Sequence, residues 1–350
     1  MPTLPHMPDA TLAPAADHDD ATVSLADGMR IAAIVPCYNE ELTVGKVVTD
    51  LRAAVPGIEV YVYDNNSSDR TAKVALEAGA VVRVESAKGK GNVVRRAFAD
   101  VEADIYLMID GDDTYDAGAA PRLIQALLDG PHDHVLGVRR EISETAYRPG
   151  HELGNRMFNV LVTRIFGVEV NDMLSGYRVF SHRFVKSFPA ISREFETETE
   201  LTVHAATLRV PQVEVPVNFT DRAEGAESKL RTYHDGLKIL RLVLHLARVE
   251  RPVVFHSIVA GILMLVGVLI GLPPIIEFID TGYVSKVPSA FLAASIEILS
   301  FMTFFLGLTL SALKRVKDEN MRLVYLSMGA PSAQQAGVRG THAGSRSGPR

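Results

Sequence analysis

Ile105-Tyr106-Leu107-Met108-Ile109-Asp110-Gly111-Asp112-Asp113 decides the fold of this chain. An unbroken apolar run gives way to carboxylates around a glycine. A short continuous apolar run closed by a turn is the pattern of a strand buried on both faces. The same pattern recurs upstream. Ile31–Val35 ends at Pro36 and runs into Tyr38-Asn39-Glu40, Val60–Tyr63 ends in Asp64-Asn65-Asn66-Ser67-Ser68-Asp69, and Val81–Val84 is a further run. Helical stretches fall at Leu42–Ala54, Thr71–Ala78, Gly91–Val101 and Ala119–Leu128. Alternating strands and helices predict an α/β protein with a mostly parallel sheet and helices on both faces. Ligands of such sheets bind beyond the carboxyl ends of the strands. Glu40, Asp64 and the Asp110/Asp112 pair all fall there, a pocket suited to a cation or to hydroxyl groups.

Two carboxylates on one short loop offer hard oxygen ligands to Mg²⁺ or Mn²⁺, whose shell is usually completed by substrate phosphates. Asp64 stands where a Rossmann-like fold holds ribose or base through a carboxylate. No G-x-G-x-x-G follows the first strand and no G-x-x-x-x-G-K-[ST] occurs, which excludes a typical dinucleotide dehydrogenase and a P-loop NTPase. The 36 Lys and Arg against 42 Asp and Glu give a net charge of −6, unsuited to sequence-independent nucleic-acid binding. A single cysteine, Cys37, excludes an internal disulfide and a Cys-rich zinc module, and reads as a packing residue. His132-x-His134 lacks further metal ligands and reads as a loop.

The 350-residue chain is 47% hydrophobic, and much of that lies near its C-terminus. Val253–Ile276 carries no charge, and Ser289–Leu313 carries only Glu297. Twenty helical residues reach about 30 Å, the thickness of a bilayer's hydrocarbon core. Both runs therefore read as membrane spans, with Pro273-Pro274 ending or kinking the first. Lys238, Arg241, Arg248 and Arg251 precede the pair and Lys314, Arg315, Lys317 and Arg322 follow it, which places both flanks in the cytoplasm. Glu297 should face the other helix, a headgroup or water. The organisation expected is a disordered tail over 1–28, a catalytic domain over 29–234, an amphipathic interfacial helix over 235–251, a two-helix hairpin over 252–313, and a largely disordered basic tail over 314–350.

Pro36-Cys37-Tyr38-Asn39-Glu40, Asp64 to Thr71, Gly89-Lys90-Gly91-Asn92 and Asp110-Gly111-Asp112 stand in the order and spacing of glycosyltransferase family 2, which the chain resembles over about residues 30–240. Leu153-Gly154-Asn155-Arg156, Asp172 to Arg178, Asp221-Arg222 and Glu227-Ser228-Lys229-Leu230 resemble the dolichyl-phosphate mannose synthase branch. The resemblance implies a GT-A fold. It implies that Pro36, Tyr38, Glu40, Asp64 and Lys90 line the nucleotide and that Asp110 and Asp112 bind the metal on the donor diphosphate. Arg139, Arg156, Ser228 and Lys229 would meet an acceptor phosphate, supported by Arg178 and Arg222. Some relatives have a metal-ligating Gln where this chain has Thr114.

The activity expected is transfer, with inversion, from a nucleotide-diphosphate sugar to a polyprenyl phosphate, at the inner membrane with the catalytic domain in the cytoplasm. An anionic acceptor needs little base assistance. If a base acts, Glu198 of Glu196-Thr197-Glu198-Thr199-Glu200 is the choice, although these alternating acids also read as a solvated strand edge. Asp112 and Arg139 complete the expected catalytic set. Another lipid or polysaccharide acceptor and a non-catalytic membrane scaffold are the alternatives, and homo-oligomerisation through the membrane helices stays open. Processive synthases usually carry Q-x-x-R-W, which a chain with no Trp cannot.

Overall fold

The computed structural model describes residues 29–141, 172–191, 197–220, 248 and 251–330. The chain divides into two units, one of residues 1–159, 168–228 and 321–350, the other of 160–167 and 229–320. The first is built on a seven-stranded sheet of order β3-β2-β1-β4-β6-β5-β7. Its strands are β1 Ile31–Cys37, β2 Glu59–Asp64, β3 Val81–Val84, β4 Ile105–Met108, β5 His134–Glu141, β6 Arg178–Ser181 and β7 Gln212–Phe219. β1, β2, β3 and β4 pair in parallel, as the sequence predicts, and β5 pairs with β7 in parallel. β6 runs antiparallel between β4 and β5 and makes the sheet mixed.

Successive strand residues point to opposite faces. In β1, Ala33 and Val35 join one apolar cluster while Ala32 and Ile34 join another. In β4, Ile105 and Leu107 point one way and Tyr106 and Met108 the other. Helices α1 (Val44–Ala54), α2 (Thr71–Glu77) and α4 (Ala120–Asp129) cover the first face, and α3 (Lys90–Asp100), α5 (His182–Ser187) and α6 (Thr197–Leu208) the second. The helices bury a stripe at helical spacing: Val44, Val47, Val48 and Leu51 of α1, and Ala120, Leu123, Ile124 and Leu127 of α4. Burial on both faces explains why the central strands read as continuous apolar runs. Glu198 and its neighbours form a helix instead of the strand edge considered above, and Glu198 is buried. His134 is the first residue of β5, not a loop residue, and its ring stacks on Phe180 and Phe184.

The second unit contains α7 (Pro252–Thr281) and α8 (Val287–Leu326) as far as Asn320, both helices long and apolar enough to cross a membrane. Pro273 and Pro274 lie inside α7 and do not end it; the helix stops at Gly282, which takes the left-handed conformation at φ 71°. Proline is tolerated in apolar helices where neighbouring groups satisfy the freed carbonyls. Ala293, Ser300 and Gly307 are the buried residues of α8, seven apart. Ser300 Oγ donates to the Ala260 carbonyl at 2.7 Å, Gly271 meets Ala293, and Gly307 meets His256. Small residues at this spacing let two helix backbones approach closely. Glu297 lies against Gly267, so it faces the other helix, and its Oε1 is buried without a hydrogen-bond partner among the described residues.

α8 continues as helix to Leu326, into the stretch expected to be a largely disordered tail. From Met321 onward it belongs to the first unit. There Met321 and Tyr325 pack against the second apolar cluster, and Arg322 donates to the Thr207 carbonyl at 3.2 Å. Tyr325 donates its hydroxyl to Asp133 at 2.6 Å. Asp133 is fully buried and also accepts from Ser181 and from both arms of Arg183. The interfacial helix expected over 235–251 and both chain ends lie outside the described residues, apart from single positions.

Candidate active site

β1, β2 and β4 end side by side, with Cys37 opposite Asp64 across the sheet. Their loops hold residues that tolerate a left-handed backbone: Asn39 (φ 56°), Asn66 (φ 66°) and Asp113 (φ 56°). Asn and Asp adopt that conformation more readily than other non-glycine residues. The loops are tied to one another. Glu40 N–H donates to Thr71 Oγ1 at 2.8 Å, Asn39 N–H to Ser67 Oγ at 2.9 Å, and Thr43 Oγ1 to the Gly111 carbonyl at 2.8 Å. Asp64 accepts from Ser67 N–H at 3.1 Å. Tyr38 is exposed and Pro36 half-buried at the end of β1.

Cys37 reports how closely the acids gather. Its pKa is pushed well up by burial and then by the carboxylates of Glu40, Asp110, Asp64 and Asp112. The thiol is therefore a neutral packing group beneath the site, as the sequence suggested. Gly111 packs directly on its sulfur, where a Cβ would collide.

Lys90, the first residue of α3, places its ammonium 2.5 Å from Asp110 Oδ1 and 2.6 Å from Glu198 Oε1. Burial pulls its pKa down, but these two carboxylates outweigh that and hold it above the ordinary lysine value. Asn65 positions this lysine's loop: its amide donates to the Glu85 and Ala87 carbonyls, and its oxygen accepts from Gly89 N–H at 2.7 Å. Asn65 and Thr71 were given no role from sequence. Their signal was present, since both stand in the polar run that follows β2, but their partners are set by the tertiary fold.

Asp112 Oδ1 accepts from Thr114 Oγ1 at 2.7 Å, so Thr114 orients the carboxylate. Asp110 Oδ2 faces Gly176, where any Cβ would collide with it. Asp110 and Asp112 are the residues suited to a divalent cation. They fit one in chemistry, being oxygen donors on one loop, and the Lys90 ammonium against Asp110 shows that positive charge is favoured at this spot. Among the described residues no group of three or more His, Cys, Asp or Glu could hold a metal.

Arg139 makes two 2.7 Å bonds to the carboxylate of Asp172, and its guanidinium lies 5.3 Å from the Phe219 ring centre. Arg178 is placed differently from the expectation that it supports acceptor phosphate. It is fully buried, donating to the carbonyls of Ser175 (2.9 Å) and Met173 (2.6 Å) and to Thr202 Oγ1 (2.9 Å). Burial brings its pKa down to about 10. The same burial, with the Arg178 charge beside it, holds His134 well below the ordinary histidine range. Arg178 thus organises the loop before β6 from within. Glu200 accepts from Ile191 N–H at 2.9 Å. Arg156, Arg222, Ser228 and Lys229 lie outside the described residues.

Comparison with known proteins gives this arrangement a lineage. The chain is 33% identical over 229 residues to glycosyltransferase AglJ of Haloferax volcanii, covering 65% of this chain and 75% of AglJ. It is 26% identical to a dolichyl-phosphate hexose transferase of the same organism, covering 63% of this chain and 95% of that protein. Glucosyl-3-phosphoglycerate synthase of Mycobacterium tuberculosis, solved with Mg²⁺ and UDP, shares the GT-A fold with TM-score 0.52 and 24% identity, covering 64% of this chain and 80% of that one. The family profile described as "Glycosyl transferase family 2" matches residues 32–188, and the chain belongs to that family.

Proposed function

We propose that this chain transfers a hexosyl group from a nucleotide-diphosphate sugar to a polyprenyl phosphate, with its catalytic unit on the cytoplasmic side of a membrane. The observation that carries the reading is the Asp110–Gly111–Asp112 loop set among Glu40, Asp64, Lys90 and Glu198 at the ends of parallel strands. Two helices of membrane-spanning length, the flanking cations and the dolichyl-phosphate hexose transferase among the relatives support a lipid acceptor.

In the reaction a phosphate oxygen of the acceptor bonds to the anomeric carbon as the bond to the donor diphosphate breaks. Asp110 and Asp112 would hold Mg²⁺ or Mn²⁺, which supplies Lewis-acid stabilisation of the leaving group. Thr114 fixes the Asp112 carboxylate for that task. Glu40 and Asp64 accept hydrogen bonds from the nucleotide's hydroxyl groups, with Pro36 and Tyr38 beside it. Arg139, held by Asp172, presents its charge to the acceptor phosphate, joined by Arg156, Arg222, Ser228 and Lys229. Glu198 is tied to the Lys90 ammonium at 2.6 Å and is not free to take a proton from the acceptor without breaking that ion pair. That suits an acceptor which is already an anion and needs little proton removal.

Membranes containing the protein, supplied with polyprenyl phosphate and a panel of radiolabelled nucleotide sugars, should yield label extractable into organic solvent. Asp112→Ala should reduce that label to background, since metal and oxyanion stabilisation is worth on the order of 100-fold or more in rate. Full turnover by the variant would remove the metal assignment, and label found only in water-soluble product would remove the lipid acceptor.

A further inference from the structure

Lys90 is expected from the family resemblance to touch the nucleotide, yet its ammonium is occupied by two carboxylates of the protein itself. Asp110 is offered by the loop after β4, and Glu198 by the first turn of α6. The lysine side chain is only 11% exposed and that of Glu198 6%, so neither charge is met by bulk water. An ammonium has three donors on a flexible stem. Glu198 meanwhile retains a second oxygen, Oε2, that is buried and lacks a hydrogen-bond partner among the described residues. A buried, unsatisfied carboxylate oxygen is costly, and a donor brought to it would recover that cost.

A divalent ion bound to Asp110 would place two positive charges next to a third, only a few ångströms away. At so short a range, with the Asp110 side chain only 28% exposed, that repulsion is only partly screened. The lysine therefore cannot keep its present contact once a cation arrives. Glu198 offers it somewhere to go: one oxygen already bonded to it and another open.

We propose that Lys90 is a displaceable internal counter-cation, which occupies Asp110 while the site holds no divalent ion and shifts its hydrogen bonds onto Glu198 when one binds. This rests on the reading of Asp110 and Asp112 as the metal-binding pair. Lys90 is then a positioning residue that sets the metal affinity of the resting protein. It keeps the carboxylate loop neutralised and assembled before substrate arrives, and Glu198 is the residue that makes its withdrawal affordable.

The test is Mn²⁺ binding by the full-length protein in detergent without nucleotide, followed by the loss of the free-ion electron paramagnetic resonance signal. Lys90→Met removes the competitor and should tighten Mn²⁺ binding about tenfold, while Lys90→Arg, which keeps the charge, should not tighten it. Glu198→Gln removes the alternative partner and should weaken Mn²⁺ binding severalfold, giving a change of opposite sign. Unchanged or weaker binding by a folded Lys90→Met protein would overturn the proposal. Should that variant fail to fold, an unchanged affinity in Glu198→Gln would overturn it equally. Asp112→Asn should abolish binding in every background. If Asp112→Asn binds Mn²⁺ like the unmodified protein, the metal-binding pair itself is misassigned; if it loses binding while the Lys90 and Glu198 variants change nothing, only the role of Lys90 fails.

Discussion

Arg178 holds a full charge where no water reaches it, and four neighbours share the burden: two carbonyls, the Thr202 hydroxyl and, at 3.4 Å, His134 Nε2. Arg178→Met would strand these acceptors, and the protein should lose about 3 kcal/mol of stability, read as a lowered midpoint of thermal unfolding in detergent. A phosphate ligand would instead raise the acceptor KM in a protein that melts normally. Cys37 gives a second test at this scale. Its thiol is buried and its pKa is raised by the acids around it, so the folded protein should resist alkylation at pH 8 and react only once unfolded. Rapid modification of the native protein would show that the base of the site is open. The carboxylates were legible in the sequence because each follows an apolar run, and a strand end has a fixed place in such a sheet. The pairings of Arg178 with Thr202 and of Lys90 with Glu198 were not, because the first spans 24 residues and the second more than a hundred. No local pattern records that packing.

The loop before β6 shows how one element serves the site without supplying a ligand of its own. Ser175 donates to the Gly137 carbonyl, Gly176 N–H donates to the Tyr115 hydroxyl at 2.9 Å, and Asp172 clamps Arg139. The loop thereby closes over Asp110, and only glycine fits at 176. Gly176→Ala should push the Asp110 carboxylate aside and cut turnover at least tenfold while leaving far-ultraviolet circular dichroism unchanged, because a misplacement of about 1 Å in a catalytic group is that costly. Wild-type turnover would mean that the loop moves away in the working enzyme. The antiparallel insertion of β6 that positions this loop was not anticipated, since a four-residue apolar strand carries no mark of its direction. At Pro273-Pro274 the sequence left two readings open, an end or a kink, and α7 runs on through both prolines to Thr281.

At the scale of the whole molecule, the α/β unit and the two long apolar helices were both legible, because sheet burial and membrane length leave strong periodic or compositional signatures. What sequence order concealed is that the α/β unit is discontinuous: the end of α8, from Met321 to Leu326, belongs to it. Tyr325 completes the coordination of the buried Asp133, and Met321 seals part of the second apolar cluster. During synthesis, then, the second apolar cluster and Asp133 each lack a partner until the end of α8 has been made. A nascent chain halted after its catalytic motifs would hold Asp133 through Ser181 and Arg183 alone, so the final consolidation of the transferase's α/β unit waits on translation of both greasy helices.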